Sequence, residues 1–208
     1  MFGQSKQPYP SLRIFNNPVL ESLTHVHPIT PLLVWTPIIS GLIYYSVVEQ
    51  SLGFAALSMW AILALVVWTL TEYLLHRFLF HFPAKSKTGK YLVFLFHGLH
   101  HDDPNDPTRL VFPPVPAFFI FLALYGLFSI FIPESGINAF MGFFMVGYLC
   151  YDYIHYATHH FSMKGKLARK IKKHHLQHHF QHKPAKYGVS SPFWDVVFGS
   201  VKSPKEKK

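Results

Sequence analysis

The chain has 208 residues, half of them apolar and 17% aromatic, while charged residues make up only 14%, well below the quarter or so usual for a soluble domain. That length suits one domain or one membrane bundle, and the single cysteine, Cys150, excludes an internal disulfide and reads as a small buried residue of an apolar run. The formal charge of +9 is not a nucleic-acid footprint, because the aromatics sit in apolar runs and the lysines gather in a tail; a basic face against an anionic lipid surface fits better.

Residues 1–30 are polar and proline-punctuated, and are expected to form a cytoplasmic or interfacial arm. They hold no apolar core followed by a small-residue cleavage site, so the first span is expected to do the targeting. No lysine or arginine occurs between Arg13 and Arg77 or between Arg109 and Lys164, and these gaps are long enough for spans of about 20 residues. Four are expected, at about 31–48, 54–75, 115–132 and 137–154, within one membrane domain of residues 31–200. Glu49 to Gly53 turns the chain between the first two, and Pro133-Glu-Ser-Gly136 is expected to be a tight turn between the last two. The two short turns carry none of the nineteen lysines and arginines, so both termini and the central connection are expected on the cytoplasmic side. Tyr91 to Phe96 reads as a short helix at the interface, the stretch from Lys164 to Lys173 as a basic helix on headgroups or a solvated linker, and residues 201–208 as a disordered basic tail. Trp194 suits an interface anchor.

Histidine is what the apolar runs lead up to. His97-Gly-Leu-His100-His101 and His175-Leu-Gln-His178-His179 share one spacing, His155 and His159 are four apart, and His76 and His81 are five apart. Rings three and four apart share a helix face, which is metal-ligand geometry; scattered surface or core histidines would not give two copies of one pattern. His25 and His27 are only two apart and have no partner cluster, so they are left outside the site.

Ten imidazoles exceed what one zinc or iron takes, about four to six ligands, and imply two metals. Carboxylates are scarce near the clusters: Glu72, Asp102, Asp103 and Asp152 are the local supply. Imidazole suits iron, zinc or copper better than magnesium or calcium. Glu72 lies four before His76 and Asp152 three before His155; both are expected to accept from the other ring N–H of those histidines, in preference to ligating directly. The residues by themselves thus describe an all-α, four-span membrane bundle with a cytoplasmic histidine-rich cap and a dimetal site. A metal transporter is the non-enzyme alternative, but it would place ligands near the bilayer midplane, whereas these lie at helix ends.

HRFLFH, HGLHH followed by RLVFPP, YDYIHYATH, and HHLQHH ending in FWDVVFG together resemble the fatty acid hydroxylase/sterol desaturase superfamily, most closely its fatty acid 2-hydroxylase branch, over about residues 60–200. The resemblance implies that His76, His81, His97, His100, His101, His155, His159, His175, His178 and His179 bind two metals, iron in the active enzyme, with His160, His174 and His182 beside the pattern. It implies hydroxylation of C2 of a long-chain fatty acid or of a sphingolipid acyl chain, using dioxygen and electrons from NAD(P)H. Nothing in the sequence resembles a haem domain, so the electron donor is expected to be a separate cytochrome b-type or ferredoxin-type protein. Zinc, which has no redox chemistry, can occupy such imidazoles in purified protein. The alternative within the superfamily is a sterol, carotenoid or alkane hydroxylase or desaturase. The host membrane is expected to be a bacterial inner membrane or the endoplasmic reticulum. Arg109, the basic residue between the central cluster and the third span, marks a cytoplasmic boundary or holds the substrate's carbonyl or headgroup oxygens through its planar fork.

Overall fold

The computed structural model describes residues 11–181 and 185–202; His182 and most of the expected basic tail lie outside them. Among the described residues all regular structure is helical. Short α1 (Pro18–Ser22) is capped by Asn17, whose side chain accepts from Val19 N and Leu20 N. It precedes α2 (Thr30–Val48) and α3 (Phe54–Leu74). A π-helical turn, Leu75–Phe80, continues α3 to the first histidines. Then come α4 (Lys87–Val93), a second π turn (Phe94–Gly98) and α5 (Leu99–Asp102), followed by α6 (Pro114–Phe128), α7 (Glu134–His160), α8 (Lys166–Phe180) and α9 (Phe193–Val197).

Among the described residues three helices are long and apolar enough to cross a membrane: Thr30–Val48, the 27 residues Phe54–Phe80 and the 27 residues of α7. At about 1.5 Å per residue, 27 residues reach about 40 Å, more than the roughly 30 Å of a bilayer's hydrocarbon, so these helices are long enough to carry their polar, histidine-bearing ends beyond it. Large apolar side chains stay exposed around the bundle, among them Leu33, Phe54, Ile62 and Val115. Such a belt is stable only against lipid, and the chain is an integral membrane protein.

The expected span at 115–132 differs from what forms. α6 has 15 residues and stops at Phe128, where the chain tightens into three-residue turns, Ile130 N donating to the Leu127 carbonyl oxygen and Phe131 N to that of Phe128, and the residue before Pro133 is steered away from helix. The expected turn at Pro133–Gly136 is instead the start of α7, with Pro133 as its cap. Gly136 serves packing there: a Cβ on it would lie 2.4 Å from the Trp60 ring. Cys150 is also corrected, since it is exposed on the outer side of α7.

α7 is the axis. Trp35 of α2 and Trp68 of α3 meet Tyr148, and Trp68 packs edge-on against Phe144 with ring centroids 5.0 Å apart. Glycine lets these helices close on it: Cβ atoms at Gly142 and Gly147 would lie 2.9 Å from Ile43 and 2.6 Å from Trp68, the small-residue contact by which membrane helices pack. At the far end Gln50 Nε2 donates to the Glu134 carbonyl oxygen at 2.8 Å, tying the turn after α2 to the first residue of α7.

Candidate metal centre

At the other end the helices deliver the ten histidines of the four clusters into two groups of five. His76, His81, His97, His101 and His178 form the first; His100, His155, His159, His175 and His179 form the second. Within each, one ring nitrogen per residue lies within 4.8 Å of all the others.

The local helix geometry decides who joins whom. An α-helix turns about 100° per residue, so residues four apart differ by only about 40° while residues three apart differ by about 60° the other way. Accordingly His97 and His101 go together, as do His155 with His159 and His175 with His179. The middle members, His100 and His178, cross to the opposite group. His76 and His81 are five apart and would diverge by about 140° on an α-helix; the π turn, in which His81 N donates to the His76 carbonyl oxygen at 3.2 Å, brings them to one side.

In the first group the Nε2 atoms of His76 and His97 are 2.9 Å apart, those of His97 and His101 3.0 Å, and those of His81 and His178 3.0 Å. In the second, His100 and His155 are 2.9 Å apart, His100 and His179 3.0 Å, and His159 and His175 2.8 Å. Metal–imidazole bonds of about 2.0–2.1 Å at right angles would set neighbouring nitrogens about 3 Å apart. Burial first, and then the like charge of His178, pushes His81 and His101 down to about 3. Burial likewise lowers His178 to about 4, and it holds His97, His100 and His175 well below the ordinary imidazole value. At neutral pH these rings are neutral, with lone pairs available to ligate. Five inward imidazole nitrogens in each group fit a metal ion.

A cavity of about 310 Å³ opens on both groups, at His97, His100 and His155, and its other walls include Phe15, Phe96, Val111 and Phe112. Its walls are largely apolar, with imidazoles from both groups at one part of the lining.

The family model for fatty acid hydroxylase matches residues 61–200. The chain belongs to the fatty acid hydroxylase family. This fatty acid hydroxylase is 34% identical over 189 residues to the dihydroceramide fatty acyl 2-hydroxylase FAH2 of Arabidopsis thaliana, covering 91% of this chain and 79% of that one. It is 32% identical over 213 residues to the fatty acid 2-hydroxylase of Rattus norvegicus, covering 91% of this chain and 56% of the rat protein. A solved structure described as full-length scs7p, with only the hydroxylase domain visible, superposes with a TM-score of 0.84 at 34% identity, covering 92% of this chain and 72% of that one.

Two of the other singled-out residues of this hydroxylase, Glu72 and Asp152, sit differently from expectation. Glu72 does not meet the His76 ring: its Oε1 accepts from Val189 N at 2.7 Å and Ser190 N at 2.8 Å, and Oε2 accepts from the Ser190 hydroxyl. The Nδ1–H of His76 donates to the Tyr187 carbonyl oxygen at 2.5 Å. Asp152 accepts from Phe112 N at 3.1 Å through Oδ1, and its buried Oδ2 has no hydrogen-bond partner among the described residues. Arg109 lines the cavity and is at the same time held against the arm, donating to Glu21 Oε1 at 2.5 Å, to Thr24 Oγ1 at 3.0 Å and to the Leu12 carbonyl oxygen. His25 meets Thr108 and Arg109, and His27 accepts from Ile29 N; neither is in the two groups. His160 stacks near Tyr156.

Asp195 and His174 carry more than their sequence suggested. Asp195 is fully buried, and its Oδ2 accepts from His174 Nε2 at 2.9 Å. Burial pushes this carboxyl up, but hydrogen bonds from His174, Ser200, Gly188 and Tyr187 outweigh it and hold the pKa below the ordinary value. The available signal was a lone acid among Phe193, Trp194, Val196 and Val197, since a carboxylate in such company is buried only when paired.

Proposed function

We propose that this chain is a membrane-bound monooxygenase that hydroxylates C2 of long-chain fatty acids or of sphingolipid acyl chains. The observation that carries this reading is the pairing of two five-imidazole groups with one largely apolar-walled cavity that touches both of them. Because C2 lies beside the polar carbonyl, a site at headgroup depth is where C2 is found, whereas mid-chain chemistry would call for a deeper pocket. The family membership and the names of the plant and rat relatives, both 2-hydroxylases, support the same substrate class.

The ten histidines would hold two metal ions, iron in the working enzyme. When bound, these supply the oxidising chemistry, drawing on dioxygen and on electrons that pass from NAD(P)H through a separate cytochrome b-type or ferredoxin-type donor. Everything else is done by the chain. Phe96, Val111 and Phe112 exclude water and grip the acyl chain, while His97, His100 and His155 mark the end of the cavity at which C2 is presented. Arg109 is itself part of the cavity wall, and its fork also pins the arm, which supplies Ile14, Phe15 and Leu23 to the same wall. Asp152 holds Phe112 by its backbone N–H. The membrane domain is residues 31–200, with α6 and the turns that follow it to Ile132 together returning the chain across the bilayer, and the distribution of lysine and arginine supports a cytoplasmic face for the site.

Mass spectrometry of lipids from cells expressing the chain tests this. The expected product is acyl chains bearing a new hydroxyl at C2. Hydroxylation at another position, a new double bond, or an oxidised sterol in place of an acyl product would replace the reading with the corresponding superfamily activity.

A further inference from the structure

The two groups have the same donors and differ in what holds the rings. In the first, Nδ1–H of His76 donates to the Tyr187 carbonyl oxygen at 2.5 Å and Nδ1–H of His178 to that of Ala185 at 2.7 Å. Both carbonyls belong to one stretch without regular structure, residues 185–190, and two buried carboxylates hold it. Asp195 Oδ1 accepts from Tyr187 N at 2.8 Å and from the Ser200 hydroxyl at 2.7 Å, and Oδ2 accepts from Gly188 N at 2.8 Å and from His174. Glu72 grips the next two residues, Val189 and Ser190. The fit leaves no slack at Gly188, where a Cβ would lie 2.1 Å from the Ser191 carbonyl oxygen and 3.0 Å from Asp195 Oδ2. Between the two carbonyl residues, Lys186 adopts φ 61°, a left-handed conformation that a non-glycine residue keeps only when its surroundings enforce it.

Nothing comparable holds the second group. Among the described residues no backbone carbonyl accepts from its rings, and the Nδ1 atoms of His175 and His179 are buried without a hydrogen-bond partner. An imidazole whose second nitrogen donates to a fixed carbonyl is locked in tautomer and orientation, and loss of such partners costs metal affinity.

We propose that the 185–190 stretch is a clamp that pre-sets the first metal position, making it the more tightly retained of the two, and that Asp195 and Glu72 are its positioning residues. Neither carboxylate touches a ligand ring; each acts through the loop. The inference rests on the reading that the ten histidines hold two metals.

Protein loaded with zinc is challenged with EDTA, and the metal remaining is counted against time. The parent is expected to lose one metal quickly and one slowly. Asp195→Asn turns an amide N–H towards N–H and O–H donors, and should speed the slow loss by at least about tenfold while leaving the fast one unchanged. Ser200→Ala removes a single donor and should move the same phase in the same direction, which decides the matter if Asp195→Asn does not fold. His175→Ala, on the other group, should remove the fast phase. Release of both metals at one rate in the parent overturns the clamp and leaves the two-metal reading standing. So do equal acceleration of both phases, or a Ser200→Ala protein that releases like the parent. A parent that binds fewer than two zinc ions per chain overturns the two-metal reading, and the clamp falls with it.

Discussion

At the scale of single residues, the allocation of histidines is the finding with the most direct consequences. His100 and His101 are neighbours in sequence yet face different groups, and so are His178 and His179. His178→Ala should therefore deplete metal from the first group and His100→Ala from the second. Each should cut product by more than about 100-fold, beyond the 10–100-fold that outer partners cost; metal content and lipid product are measured together, with membrane insertion as control. The sequence showed which ten histidines cluster, because spacing is local information. It did not show the allocation, which depends on how four helices are rotated against one another, nor the partners of Glu72, which lie more than a hundred residues away in the chain. Arg109 was legible as a special residue but not for its contacts, since those come from the arm. Glu21, its partner there, is held down at about 2 from 4.5 by the Phe15 N–H foremost, and by Ile14 N–H and Arg109, against burial pulling the other way. A folded-state value below the unfolded one means that the carboxylate favours the docked arm fully above pH 4.5, and that this contribution is lost as pH falls from 4.5 towards 2. Hydrogen exchange at Val26, whose N–H donates to the Thr108 carbonyl oxygen at 2.7 Å, reads the arm directly. Its protection should fall through that window in the parent and be low throughout in Glu21→Gln. Arg109→Lys should lower it at neutral pH.

Helices were more legible than their ends. Long uncharged runs located α2, α3 and α7, because a bilayer demands apolar length whatever the neighbours are. The short α6 and the early start of α7 reflect where the backbone tightens into three-residue turns ahead of Pro133 and resumes helix after it, and hydropathy does not register this. The π turn could have been suspected from HRFLFH, where the spacing of five disagrees with the three- and four-residue spacings elsewhere. Close packing makes the α3–α7 contact intolerant of volume. Gly147→Ala would place its Cβ 2.6 Å from the Trp68 ring, and should destabilise by about 1–3 kcal/mol as an overpacked core does. Gly126→Ala, with nothing within 4 Å of the added carbon, should be neutral or mildly stabilising. Thermal unfolding of the two variants in detergent separates them.

For the whole molecule, the apolar belt and the histidine end are different kinds of stability on one set of rods. Insertion depends on helices satisfying their own backbone groups in lipid, and metal binding adds stability only to the folded state. Chelation should accordingly lower the unfolding temperature while the protein stays resistant to alkaline extraction from membranes; release into the soluble fraction would mean that the metals hold the bundle in the bilayer. The overhang of the two 27-residue helices beyond the hydrocarbon has one more consequence. A site carried at a fixed height on such rods registers an acyl chain by its carboxyl end, which the interface holds at nearly constant depth, and takes no account of where the methyl end falls. Regiochemistry set in this way is insensitive to chain length, so one enzyme can mark lipids of many lengths at the same carbon.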